Sequence, residues 1–288
     1  MLKHQPVRRQ KWTDEQFKLI WDHPIESYLE VANGVVDKAI LQGIISPNTF
    51  GVKVPNDYIR DIADRYPKII KWCCCVDPTD DGAVKEIERC VSLGAVGVGE
   101  LGPAYGEYYL NDKRCYRVWE KCEELDIPVI IHAGFSRHAP LRYADLTTLD
   151  DIAFDFPNLK IVLCHMGFPQ YETGSFIVAK HPNVYADVSW LTGISGLDRR
   201  ILSKNQPQVD YGYYFHFVYP LIYHLSQTHG ESDKLIFGTD WGNSSPRGDI
   251  KIFENINLLT RKLKLPEIPD QIIYNILHEN WRNVFKLT

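Results

Sequence analysis

Several features are missing from this 288-residue chain. No apolar run approaches the roughly 18–20 residues that a membrane helix needs. The richest stretch, Tyr213 to Leu225, is interrupted by His216, Pro220 and His224. The N-terminus, MLKHQPVRRQKW, is basic but has no apolar segment of the kind a secretory signal carries. Asp14 and Glu15 follow at once, which argues against a transit peptide. Positive charge is not in excess: 32 Lys and Arg stand against 37 Asp and Glu. Electrostatics therefore gives no reason to expect nucleic acid as a partner. No two cysteines are spaced C-x-x-C, and their number, seven, is odd. Cys73, Cys74 and Cys75 are contiguous in an apolar run, where successive strand side chains face opposite ways and cannot converge on one metal. The seven read as reduced core thiols of a cytoplasmic protein. Gly97, Gly99 and Gly102 spell G-x-G-x-x-G, but no helix opens directly after them, so no phosphate loop is expected. Internal repeats, low-complexity tracts and an interdomain linker are absent as well.

What is present is an ordinary globular composition, 44% hydrophobic and 24% charged. Strand-like runs fall at Val35–Leu41, Lys68–Val76, Ala95–Leu101, Pro128–His132, Leu159–His165, Val184–Trp190 and Lys234–Asp240. Most are continuously apolar and rich in Val and Ile, as strands buried on both faces are. Between them lie helix signals. Pro24 suits a helix start and Gly34 a helix end; Thr79 and Asp80 open a segment closed by Gly94; Asn111 and Asp112 open another that runs to Leu125. Two more helices are expected over Ile250–Lys264 and Asp270–Phe285. Strand starts recur at intervals of about 30 residues, the length of one βα unit, with a longer interval before the last. The expected architecture is α/β, a single TIM-like (β/α)8 barrel domain over residues 1–288, with a doubly wound sheet as the alternative. A closed barrel wants an eighth strand. The stretch where it would begin, Leu2–Val7, is highly charged, and Thr13 with Gln16 resembles a helix capping box instead. Residues 1–27 are thus atypical, and the first strand is missing or degenerate.

Three of the strand runs end in a residue that can bind a metal or move a proton. PVIIH ends in His132, KIVLCH in His165 and KLIFGTD in Asp240. A fourth, AVGVGEL, carries Glu100. In parallel barrels the strand C-termini build the active site. Alternation places His132 with Ile130, His165 with Ile161 and Leu163, and Asp240 with Ile236 and Gly238. All three could then point inward at one end of the barrel. Glu100 reads either as a site residue or as half of a structural ion pair. Arg142, with Arg137 and His138, follows the His132 strand in a loop that could hold an acidic group or simply be charged surface. His181 reads as a solvated loop residue, and His216 and His278 as helix positions.

The motifs IPVIIHAG, FPNLKIVLCHMG, HPNVYADVSW, KLIFGTDW and ILHENWRNVFKL, in this order, resemble the amidohydrolase superfamily. More narrowly they are similar to the amidohydrolase-related group that includes aminocarboxymuconate-semialdehyde decarboxylase. VDKAILQGI and GAVGVGELGPAYGEYYLND fit the same pattern. The resemblance implies a metal-dependent barrel and a divalent cofactor, zinc foremost. It implies metal-ligand roles for His132, His165 and Asp240, with Asp240 as general base and His165 polarising water or substrate. The implied activity is hydrolysis or carboxy-lyase chemistry on a small carboxylate-bearing substrate through a metal-activated water. Glu100 and Arg142 are expected as substrate contacts from their places in the sequence, not from the resemblance.

One departure from the pattern matters. The family's first strand carries a His-x-His pair, and here the only early histidines, His4 and His23, form no such pair. The missing pair coincides with the missing strand. The expectation is a chain that begins downstream of the family's usual start; the alternative is a degenerate member. Function then divides between a metal-dependent enzyme, a non-catalytic barrel that binds a small acidic ligand or a protein, and a metal-free acid–base lyase using Glu100, His165 and Asp240. The expected partners are a small-molecule substrate and a second copy in a homodimer, with neither nucleic acid nor membrane.

Overall fold

The structure, a computed structural model, describes residues 23–47, 49–136, 139–194 and 214–287. The expectations for Leu2–Val7, His4, Thr13, Gln16, Arg137 and His138 lie outside the described residues.

Among the described residues, seven parallel strands form the wall. β1 (Ala39–Leu41) pairs with β4 (Ile70–Trp72), with Ala39 opposite Ile70 and Leu41 opposite Trp72. A bridge from Cys74 to Val98 carries the wall on to β5 (Val98–Leu101). From there β6 (Val129–Ile131), β7 (Ile161–Leu163), β8 (Val184–Asp187) and β9 (Leu235–Ile236) follow in order. Spatial order thus equals chain order, as successive right-handed βα crossovers dictate. Each strand falls within one of the apolar runs of the sequence. A small antiparallel hairpin, β2 (Ile45–Ser46) and β3 (Val52–Lys53), branches off after β1.

Helices alternate with the strands. α1 (Ile25–Ala32) follows Pro24, and Gly34, at φ 72°, takes the left-handed conformation expected past its end. α2 (Asn56–Arg65) precedes β4, and α3 (Ala83–Ser92) follows it. The sequence places the start of α3 at Thr79 and Asp80. Instead Asp77 and Asp80 fold their own backbones into turns, accepting from Thr79 N at 2.9 Å and Gly82 N at 2.8 Å, and the helix begins later. Short α4 (Pro103–Gly106) leads to α5 (Lys113–Glu124), capped by Asp112 as expected. α6 (Thr147–Asp155), α7 (Tyr171–Lys180), short α8 (Leu191–Ile194) and α9 (Tyr219–Gln227) continue the alternation. The single helix expected over Ile250–Lys264 is two, α10 (Pro246–Glu254) and α11 (Ile256–Lys262), broken at Asn255. α12 (Asp270–His278) ends before the expected Phe285 and passes into a 3-10 turn at Asn280–Asn283. No helix among the described residues is long and apolar enough to cross a membrane.

The core has two layers. Ile161, Leu163 and Trp72 face outward against helical residues such as Ile87, Trp119 and Leu149. Cys73, Ile130, Val162, Cys164 and Ile236 face inward, where Val284 and Phe285 of the C-terminal segment pack against them. Cys73 and Cys74 fall in opposite layers, as alternation requires. All seven cysteines are free and buried. His181 departs from the expectation of a solvated residue: it is 5% exposed, and its Nε2 lies 2.6 Å from Asp150 Oδ1 on α6.

Candidate active site

The strand ends after β5, β6, β7 and β8 bring a connected set of polar side chains together. Glu100 Oε1 lies 2.9 Å from His132 Nδ1. The same Nδ1 lies 3.1 Å from His165 Nε2. On the other side of the His132 ring, the Tyr105 hydroxyl is 3.2 Å from Nε2. His165 Nδ1 meets Ser189 Oγ at 2.7 Å and Ser189 O at 3.2 Å. The Ser189 hydroxyl donates to Asp187, which also accepts backbone N–H bonds from His165 at 2.9 Å and Ser189 at 3.0 Å. His132 and His165 are 6% and 2% exposed, so water can satisfy little of this set.

Local backbone geometry explains how the chain delivers these groups. His132 continues the ladder of β6, its N–H bonding Leu101 O at 2.8 Å, and it shares the inward face of Ile130 as alternation predicts. His165 does not follow alternation. Val162 and Cys164 face inward, while Ile161 and Leu163 face the helices. The parity expected from the sequence is therefore inverted on β7. His165 reaches the interior because it and Met166 turn left-handed, at φ 55° and 52°. Trp190 and Asp240 are left-handed too, at φ 60° and 57°. Non-glycine residues take this conformation at a cost, and such strain gathers at functional sites. Gly238 makes room within the wall: a Cβ there would come 2.9 Å from Ser189 Cβ.

The charges pull against burial. Burial works against ionised Glu100, but its hydrogen bond to His132 and the fields of His132 and His165 win and lower its pKa. Burial works against charged His132, but the Glu100 hydrogen bond and charge, with Asp240 and Asp187, win and raise its pKa. Glu100 and His132 thus each favour the charged form of the other. For Asp240, burial and the charge of Glu100 raise the pKa, against opposing contributions from His165, His132 and an Asn243 hydrogen bond of 2.9 Å. For Tyr105, burial and the charges of Glu100 and Asp240 push the phenol up, so it stays protonated.

His132, His165 and Glu100 form the compact group, with one ligand atom of each within 4.8 Å of the others. Asp240, expected as a ligand beside the two histidines, acts on them through its field, while Glu100 occupies the compact position. Arg142 is exposed, its guanidinium 4.7 Å from the Tyr143 ring centroid, and its contacts are with Tyr143 rather than with this group. Tyr105, Asp187 and Ser189 carry no role in the sequence reading. The signal for two of them was at hand in VYADVSW, where Asp187 and Ser189 alternate on one face at a strand end. Aromatic rings surround the set: Tyr105 lies 5.0 Å from His132, and Trp190 lies 5.5 Å from His165 and 5.3 Å from Phe168.

This barrel, with histidines and carboxylates at its strand ends, is the arrangement of metal-dependent hydrolases and lyases. The amidohydrolase family model matches residues 30–287, and the chain belongs to that family. A curated relative, 2-keto-4-carboxy-3-hexenedioate hydratase of Sphingobium sp. (strain NBRC 103272 / SYK-6), is 29% identical over 133 residues, 39% of this chain and 39% of the relative. The match thus spans about two fifths of the curated relative's length. Among solved structures, 2,6-dihydroxybenzoate decarboxylase from Rhizobium superposes with a TM-score of 0.65 at 16% identity, covering 96% of this chain and 93% of that one. An amidohydrolase from Burkholderia multivorans with bound zinc superposes with a TM-score of 0.68 at 12% identity, with the same coverages, 96% and 93%. At such identities the structural likeness speaks for the fold.

Proposed function

We propose that this protein is a metal-dependent enzyme, a hydrolase or carboxy-lyase acting on a small carboxylate-bearing substrate. The observation that carries this is the convergence of Glu100, His132 and His165 on one point at the strand ends. Two imidazoles and a carboxylate form a donor set suited to a divalent cation, zinc foremost, with a coordination position left open. Such an ion supplies Lewis acidity and lowers the pKa of a water molecule. The decarboxylase and hydratase names of the relatives support carboxylate-bearing substrates.

The side chains divide the remaining work. Asp240, its pKa raised, can take a proton from an attacking water and return it to a leaving group or a substrate carbon. In a decarboxylation the C–C bond electrons stay on the ring or chain carbon, and protonated Asp240 supplies that carbon's proton. Tyr105, held protonated, can donate a hydrogen bond to a substrate oxygen. Trp190, Phe168 and Tyr105 wall the site with rings that exclude water and favour a planar substrate.

A second arrangement follows from the Glu100–His132 ion pair, which satisfies both charges without a cation. In that case Glu100, His165 and Asp240 work as acids and bases alone. The deciding experiment measures metal content of the purified chain and turnover of unsaturated and aromatic carboxylates before and after chelation. About one metal per chain with chelator-sensitive turnover is expected. Turnover untouched by chelation of a metal-free sample would overturn the metal-dependent assignment.

A further inference from the structure

We propose that Ser189 is a positioning residue that locks His165 into a single tautomer, so that its bare Nε2 faces Glu100 and His132. This deepens the metal-centre assignment above and rests on it for its functional meaning, though not for its geometry.

Donor and acceptor counting leads to the tautomer. His165 Nδ1 faces two oxygens of Ser189, the hydroxyl at 2.7 Å and the backbone carbonyl at 3.2 Å. A carbonyl only accepts, so Nδ1 must carry the hydrogen. The Ser189 hydroxyl has one hydrogen. Its other neighbour is the Asp187 carboxylate, an acceptor that already takes the N–H groups of His165 and Ser189. The hydroxyl hydrogen therefore goes to Asp187, and the hydroxyl oxygen is left to accept from His165 Nδ1. With the hydrogen on Nδ1, the uncharged form of the His165 ring has its lone pair at Nε2, 3.1 Å from His132 Nδ1. Asp187 cannot do this directly, since its Oδ1 lies 3.9 Å from His165 Nδ1. Ser189 spans that gap.

The ring's aim depends on the same bridge. His165 is left-handed at φ 55°, and Trp190, next to Ser189, is left-handed at φ 60°. Both loops are held to one carboxylate through Asp187. Two unusual backbone turns are thus tied together at the point where the ring must be aimed. Outer partners of this kind orient ligating histidines, and removing them typically weakens metal binding about 10–100-fold.

The test compares the 288-residue wild type with Ser189→Ala and Ser189→Thr. Zinc affinity is measured by competition with a chelating dye, and the His165 tautomer of metal-free protein by nitrogen-15 NMR of the ring. Ser189→Ala should weaken zinc binding about 10-fold or more, and Ser189→Thr, which keeps the hydroxyl, should restore most of it. The wild-type ring should report a hydrogen on Nδ1; in the alanine variant only the backbone carbonyl of residue 189 is left to accept it, so the Nδ1 signal should shift and the ring should be less firmly aimed. Near-equal zinc affinity and identical ring signals in wild type and Ser189→Ala would overturn the proposal. Wild type that binds no zinc would remove the metal centre while leaving the tautomer measurement to decide the role of Ser189. If the alanine variant does not fold, the threonine variant and Asp187→Asn carry the same comparison; unchanged tautomer and affinity in Asp187→Asn would count against the bridge.

Discussion

His132 Nδ1 stands between two partners, Glu100 Oε1 at 2.9 Å and His165 Nε2 at 3.1 Å. With Nε2 of His165 bare, the hydrogen between the rings belongs to His132, and Glu100 shares it. To hold a cation, His132 Nδ1 would have to give up that hydrogen, and the other ring nitrogen would keep its N–H towards the Tyr105 hydroxyl, 3.2 Å away.

Glu100→Gln tests this arrangement. The amide keeps the shape and removes the charge that raises the His132 pKa. The His132 pKa should fall, as read from its ring carbon shifts in an NMR titration. Zinc affinity should weaken about 10-fold or more. An unchanged His132 titration would show that Glu100 is not its ion-pair partner.

His224 offers a stability prediction away from the site. It is 1% exposed on α9, and neither ring nitrogen has a hydrogen-bond partner among the described residues. Burial, with the charge of Lys234, lowers its pKa to about 4. Unfolded, it titrates near about 6.5. Between these values the unfolded chain binds a proton that the folded one refuses, so folding is favoured less as pH falls from about 6.5 towards 4. The loss should approach about 3 kcal/mol at the low end. Urea unfolding at pH 7 and pH 5 should show the drop in wild type and a smaller one in His224→Leu. Equal pH dependence in the two would exclude His224 as its source.

The wall of the barrel was legible because strands buried on both faces spell long runs of Val and Ile; all seven coincide with such runs. His132 was legible for the same reason, since β6 keeps its alternation through Ile130. His165 was found at the right place for a wrong reason. Period two puts it with Leu163, outside, and only the left-handed turn at His165 and Met166 brings it in. Backbone conformation of that kind leaves no trace in a hydropathy pattern. Glu100 was ambiguous because a carboxylate mid-strand reads equally as a site residue or as half of a structural ion pair, and here it stands against His132 within the cluster. Ser189 passes for ordinary because a serine after a strand is common, and only its sharing a face with Asp187 in VYADVSW sets it apart.

Gly238 is the position where a small change should reach the site through packing. An added Cβ would sit 2.9 Å from Ser189 Cβ, an atom that cannot swing aside. Gly238→Ala should cost about 1–3 kcal/mol of stability as overpacking. It should also weaken zinc binding by displacing Ser189. Wild-type stability and zinc affinity in this variant would mean that β8 and β9 yield more readily than the packing implies.

Asp249 supports the two loops that follow β8 and β9. It lies in the first turn of α10 and is 2% exposed. One carboxylate oxygen takes the hydroxyl of Thr192, on α8 after β8. The other lies 2.5 Å from the hydroxyl of Ser244, which itself contacts Thr239 O beside Asp240. A single carboxylate therefore holds the segment after Trp190 and the segment carrying Asp240 in one place. Asp249→Ala leaves both hydroxyls without this acceptor and should cost about 2–4 kcal/mol, since buried polar groups lose their partner. Asp249→Asn retains an acceptor and should lose less. Thermal unfolding ranks the three proteins, and turnover of whichever carboxylate the wild type accepts should fall in the same order. An alanine variant as stable as wild type would mean that the loops are held by the aromatic packing of Trp190 and Phe168 instead.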